Sequence, residues 1–185
     1  MPRQVDHAAR LAAVTDAVVG IAAERGFAAV TIRAVADHLG ASTSVVTHYV
    51  PHRDDLLRLA VRRELAIRRA QAERAMAAAP DPLWALVRWA VADTGDRVHR
   101  FWLSLLIAAP TEPVLRAELD GFNAWWDEHL RGLVRRSGVA EPEVVADTLD
   151  VVVDGLVTAG FEDLDPARRD RVLSRVWDAL GLATG

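Results

Sequence analysis

The sequence predicts an all-α protein of nine helices. Three observations carry that expectation. Alanine is abundant, while the 185 residues hold only 8 Pro and 11 Gly, and such composition favours helix. Apolar residues recur at helical spacing along most of the chain. The prolines, and glycines such as Gly26, Gly40 and Gly138, fall at the ends of these periodic segments, where helices stop and start.

The elements follow in order. A first helix is expected from about Asp6 to Arg25, with Leu11, Val14, Val18, Ile21 and Ala22 as its apolar stripe and Gly26 ending it. Two short helices come next, and then a long one from near Arg53 to about Ala77. Its buried side carries Leu56, Leu57, Ala60, Val61, Leu65 and Ala72, and its solvated side Arg62, Arg63, Arg68, Arg69 and Arg74. Pro80-Asp81-Pro82 breaks it. A helix with Leu83, Trp84, Leu86, Val87 and Trp89 follows, and another from about Arg97 to Ala109 stops before Pro110. Thr111 is expected to cap a helix beginning Glu112-Pro113 and reaching Arg136. Two more run from Glu141 to about Ala159 and, opened by Asp165, from Pro166 to about Leu180.

Composition narrows the function classes. The chain is 51% hydrophobic and 26% charged, which suits a soluble globular protein with a sizeable core. It has no cysteine, so no disulfide and no thiolate site for metal or redox chemistry. No apolar run approaches the roughly 18 residues that span a membrane, and no secretory h-region opens the chain; a cytoplasmic protein is the simplest reading. The net charge of −4 is unevenly divided. Residues 1–75 hold 11 Arg against 8 acids (+3), and residues 76–185 hold 11 Arg against 18 acids (−7). A mildly basic end on an acidic body fits a nucleic-acid contact at the N-terminal side. There is no lysine, and because arginine is spread over both halves, genome composition explains this better than a DNA-binding role.

The most informative stretch is residues 26–57. Thr31 is a good N-cap for a short helix carrying Ile32, Val35, Ala36 and Leu39, and Gly40 stops it. Ser42 is placed to cap the second short helix, with Val45 and Val46 facing inward and Thr43, Ser44, Thr47 and His48 outward. Two helices joined by a glycine-containing turn form a helix-turn-helix, whose second helix enters the DNA major groove. There, hydroxyls donate or accept, threonine methyls meet the thymine methyl, and a histidine can approach guanine. His52 and Arg53 open the long helix, where amides and helix dipole attract phosphate. Arg33 is another phosphate candidate, or a salt-bridge partner of Asp37 one turn on. His48 and His52 have a spacing found in zinc sites, but Pro51 interrupts the helix between them, so no metal is expected.

The string Gly26-Phe27, Thr31-Ile32-Arg33-x-Val35-Ala36, Gly40-Ala41-Ser42 and His48-Tyr49-Val50-Pro51-His52-Arg53-x-x-Leu56-Leu57 resembles the N-terminal domain of the tetracycline-repressor (TetR) family. The family usually has an aromatic residue at Thr47, phenylalanine at Val50 and lysine at Arg53. The resemblance implies a helix-turn-helix domain over residues 1–52 and a helical effector-binding and dimerisation domain over residues 53–185. It implies DNA contacts by Arg33, Ser42, Thr43, Ser44, Thr47, His48, Tyr49, His52 and Arg53. It also implies a homodimeric regulator, most simply a repressor, that binds a pseudo-palindromic double-stranded operator and is released by a small molecule. Farther on, Phe101-Trp102-Leu103-x-Leu105, Glu112-Pro113-x-Leu115-Arg116, Trp125-Trp126 and Asp154-Gly155-Leu156 are similar to the betaine-synthesis regulator (BetI-type) branch.

The middle helices concentrate aromatics: Trp84, Trp89, Phe101, Trp102, Phe122, Trp125 and Trp126, with His99 and His129 among them. Core packing explains many of these singly, but together they fit an aromatic-lined small-molecule cavity. Trp89, Trp102, Phe122, Trp126 and His129 are the expected lining. For a cationic effector, Glu118 would add a carboxylate beside the rings. Ala146, Leu149, Val152, Val153, Leu156 and Val157 on the eighth helix, and Val172, Leu173, Val176, Trp177 and Leu180 on the ninth, are expected to pack on their copies as a four-helix bundle. No phosphate-binding glycine loop, nucleophile elbow, metal constellation or catalytic carboxylate pair is present, so neither an enzyme nor a cofactor is expected. The alternative is a helical small-molecule-binding protein whose DNA binding is weak or lost.

Overall fold

The computed structural model describes residues 2–92, 95–160 and 165–182, with side chains from His7 onward and Asp96 excepted. Among the described residues there are nine α-helices and no strand. They are α1 (Pro2–Arg25), α2 (Ile32–His38), α3 (Thr43–Tyr49), α4 (Arg53–Ala78), α5 (Pro82–Val91), α6 (Asp96–Ala108), α7 (Pro113–Arg136), α8 (Pro142–Gly160) and α9 (Pro166–Ala179). A 3-10 turn, Phe27–Ala29, lies between α1 and α2; the sequence reading did not anticipate it. Among the described residues no helix is long and apolar enough to cross a membrane.

Local chemistry sets most boundaries as expected. Gly26 and Gly40 hold φ of 80° and 62°, left-handed values that glycine adopts without a Cβ clash. Thr31 accepts the Ala34 amide, Asp81 accepts those of Leu83 and Trp84, and Asp165 accepts that of Ala167. Two expected caps differ. Ser42 occupies the N-cap position of α3, but its hydroxyl pairs with that of Ser44 at 2.8 Å and caps nothing. Thr111 donates its hydroxyl to the Ala108 carbonyl instead of capping α7. Ser and Thr often take such local partners, and backbone carbonyls compete with the cap geometry.

The chain divides into two compact units. The first comprises residues 1–67 and 94–122. In it α1 packs on α6 and α2, and α2 on α3. Its core gathers Val14, Val18, Ile21, Phe27, Val35, Val46, Leu56, Leu57, Phe101 and Leu105. The Phe27 and Phe101 rings meet at 5.5 Å. Arg63 of α4 reaches α1, donating to the Ala12 carbonyl, Thr15 and the Asp16 carboxylate.

The second unit comprises residues 68–93 and 123–185. Here α5 packs on α8, and the core combines Leu83, Leu86, Leu130, Val134, Leu149, Val153, Leu173 and Trp177. Trp84 and Trp177 meet edge-on at 4.7 Å. Arg131 of α7 is gripped by three carboxylates, Asp127 on its own helix and Glu143 and Asp147 on α8, at 2.6–2.9 Å. Hydrogen bonds from Arg135 first, then Arg131, hold the Glu143 carboxyl below its usual range.

Candidate nucleic-acid interface and aromatic clusters

On α3, Val46 is buried, and Val50 just beyond is 3% exposed. Ser42, Thr43, Ser44, Thr47 and His48 all face solvent. A helix of seven residues held by so few apolar anchors presents the rest of its circumference outward, as a helix laid in a groove must. Val45, expected to face inward, is 41% exposed. On a seven-residue helix the apolar stripe is only one residue wide, and Val46 already fills it. Val45 therefore joins the outward surface, where its methyls could meet a thymine methyl. Its apolar character hid it from a search for polar contacts.

Tyr49 is half-buried. Its ring lies 5.0 Å from that of His7 on α1 and 5.1 Å, edge-on, from that of His48. It thus braces the end of α3 against α1. Arg33 is fully exposed and reaches Asp37 only at the 4.0 Å limit, so its guanidinium is available to an incoming anion. His52 is exposed as well.

Arg53 has a different placement from that of a simple phosphate ligand. Its Nε donates to the Val30 carbonyl at 2.8 Å and its Nη2 to the Phe27 carbonyl at 3.0 Å. Nη1 and Nη2 also grip both oxygens of Glu112, at 3.1 and 3.0 Å. The guanidinium fork is satisfied inside the first unit, fastening the turn that precedes α2 to the residue that precedes α7. Sequence reasoning missed Glu112 as a partner because it lies 59 positions away. A cavity of about 410 Å³ borders this clasp, with Phe27 and Glu112 in its wall beside Leu103, Ser104 and Ile107 of α6.

The residues expected to line a ligand site are divided between the two units. In the first, Trp102 and Phe122 meet at 5.4 Å. In the second, Trp126 donates its indole N–H to Asp150 at 2.7 Å. The His129 ring lies 4.6 Å from that of Trp125, and the guanidinium of Arg68 sits 4.2 Å over Trp89. Glu118, expected to serve a cation, is instead held by Arg62 at 2.8 Å, with Arg58 beside it. Asp150 is the carboxylate that stands next to an indole.

Asp154, one turn beyond Asp150 on α8, has its carboxyl raised above the usual range, by partial desolvation first and by the Asp150 charge second. A carboxyl raised on folding binds its proton more tightly in the folded chain, so ionisation opposes folding. The penalty is absent below the unfolded value and complete above the folded one. Asp154→Asn is therefore expected to raise Tm at neutral pH. The gain should fade as pH falls to about 3, where both forms are protonated. Thermal melts of the two proteins across that range check it, and an equal gain at both ends would contradict it.

The apolar faces expected to pair with a second copy are only partly outward. Ala146, Leu149, Val153, Leu156, Leu173 and Trp177 belong to the second unit's own core. The apolar side chains left exposed on these helices are Val144, Val151 (72% exposed) and Val172.

Residues 14–60 match the family described as bacterial regulatory proteins, tetR family. No curated protein matches the chain. Solved structures share its fold. One, described as a transcriptional regulator of Pseudomonas aeruginosa PAO1, has a TM-score of 0.80 at 19% identity, covering 97% of this chain and 91% of its own. One from Saccharomonospora viridis, in complex with choline, has a TM-score of 0.78 at 19% identity, covering 92% and 95%. A SmeT–triclosan complex has a TM-score of 0.74 at 20% identity, covering 92% and 91%.

Proposed function

We propose that this chain, which carries a tetR-family segment at residues 14–60, is a ligand-responsive transcriptional regulator that represses by occupying a pseudo-palindromic operator as a homodimer. The observation that carries the reading is α3 itself, anchored by Val46 and Tyr49 and otherwise outward, at the far end of a glycine-containing turn from α2. Residues 1–52 form the reading head and residues 53–185 the effector-binding and dimerisation part. Thr43, Ser44, Thr47 and His48, joined by Val45, read base edges. Arg33, Ser42, Tyr49 and His52 position the helix on the backbone. Arg53 acts through the clasp that holds the turn before α2. Thr47→Ala or His48→Ala is expected to change which base is preferred at one position of the half-site, by about 1–3 kcal/mol of discrimination. Selection from a randomised operator library reads this directly, and unchanged preference would remove α3 from the interface.

The proposed effector contacts are Trp89, Trp126 and His129 of the second unit and Trp102 and Phe122 of the first. A finer assignment, to the betaine-synthesis regulator branch, rests on the string that includes Trp125-Trp126 and Asp154-Gly155-Leu156. The choline complex of the Saccharomonospora viridis protein supports a quaternary ammonium as the first effector to try. Asp150 beside Trp126 offers a carboxylate and a ring face, the pair such a cation needs. Effector binding must favour the DNA-free form: releasing 99% of a protein otherwise 99% bound needs about 5.5 kcal/mol of differential affinity. A gel shift on the DNA upstream of its own coding sequence, with and without choline, tests the reading. No shifted band would leave the alternative, a helical binding protein that has lost DNA.

A further inference from the structure

A cavity of about 400 Å³ in the second unit lies among the start of α5, the end of α7 and the end of α9. None of the proposed effector contacts lines it. Its apolar wall is made by Leu83, Leu133, Leu182 and the Trp177 ring. Trp177 is only 1% exposed, yet its indole N–H has no acceptor among the described residues. Buried donors are almost always paired, and an orphan costs about 1–3 kcal/mol. Trp177 lines the cavity, with the nitrogen itself closed to solvent, and an acceptor arriving from outside would satisfy it.

Two charged side chains line the same space, Asp81 and Arg136. The Asp81 carboxylate is committed, capping α5 through the Leu83 and Trp84 amides. Arg136, exposed at the end of α7, makes no ion pair or hydrogen bond among the described residues. The carbonyls at the two helix ends are turned inward by local bonds: the Leu182 amide donates to the Trp177 carbonyl, and the Ser137 amide and hydroxyl to the carbonyl of Val134. The donors left over are thus an indole N–H within and a guanidinium at the rim.

We propose that this cavity is a second small-molecule site, taking an apolar or aromatic carboxylate whose oxygens accept from Trp177 Nε1 and pair with Arg136. The volume suits a body of one or two rings, and an arginine fork matches a carboxylate in a way that a neutral head group does not.

The test uses 2-naphthoate and its uncharged analogue 2-naphthalenemethanol, titrated calorimetrically into the full chain. Naphthoate should bind with one site per chain, and the alcohol at least tenfold more weakly. Arg136→Gln, a surface change that leaves the core intact, should cost naphthoate at least tenfold and the alcohol nothing. Trp177→Phe, which keeps a ring but removes the donor, should weaken both ligands. Trp126→Leu, in the proposed effector cluster, should weaken neither. No naphthoate binding, or equal naphthoate binding by the wild type and Arg136→Gln, overturns the site. Either result leaves DNA binding and release by another effector untouched, so the two readings fail separately.

Discussion

Arg53→Ala is expected to lower stability by about 2–3 kcal/mol and to weaken operator binding at every salt concentration, without changing the slope of log affinity against log salt. The stability loss follows from four charge-assisted contacts, two to carbonyls and two to Glu112, with the guanidinium about one-third exposed. Removing it leaves the Glu112 carboxylate without its partner and loosens the turn before α2. Binding falls because a loosened reading head must be reordered on DNA. A guanidinium that touched phosphate would instead contribute about one to the salt slope. Glu112→Gln should reproduce most of the loss although it adds no positive charge and removes none. A double-mutant cycle should show strong coupling between the two. A slope reduced by about one in Arg53→Ala, with Glu112→Gln near wild type, would return Arg53 to the phosphate backbone.

Val151→Glu should abolish dimerisation while leaving the monomer folded. Val151 is 72% exposed on α8, so glutamate there meets water in the free chain. In a dimer that pairs the C-terminal helices, the same carboxylate would be buried without a partner, at a cost of several kcal/mol. Operator affinity should then collapse, since a single reading head engages only one half-site. Leu156→Glu is a different experiment. Leu156 lies in the second unit's core, and a charge there should unfold that unit outright. Sedimentation together with circular dichroism separates the two outcomes. A Val151→Glu protein that remains a dimer would move the interface off α8.

What the sequence disclosed and what it withheld divide along physical lines. Helix ends were legible because their signals are local: the left-handed glycines, the Asp165 cap, and the proline-bearing breaks before α5 and α9. So was the outward polar arc of α3. The clasp was not, because a salt bridge between Arg53 and Glu112 exists only once the chain has brought distant turns together. Nor was the fate of Glu118, which Arg62 claims from another helix. Apolar stripes on α8 and α9 disclosed that both helices bury a face. They carried no signal of which valines would be spent on the chain's own core and which would be left outside. Hydrophobic periodicity reports that a face is covered and is silent about the cover.

The narrow anchorage of α3 has an evolutionary consequence. Thr43, Ser44, Val45, Thr47 and His48 sit outside the core that Val46 joins, and substitutions at such surface positions usually shift stability by less than about 0.5 kcal/mol. Descendants of this chain are therefore free to drift in the DNA they recognise while the scaffold stays folded, and new specificities need no compensating change elsewhere. Tyr49 is the exception, because it holds the helix to α1. Divergence should accordingly accumulate on the outer arc of α3 and spare that tyrosine.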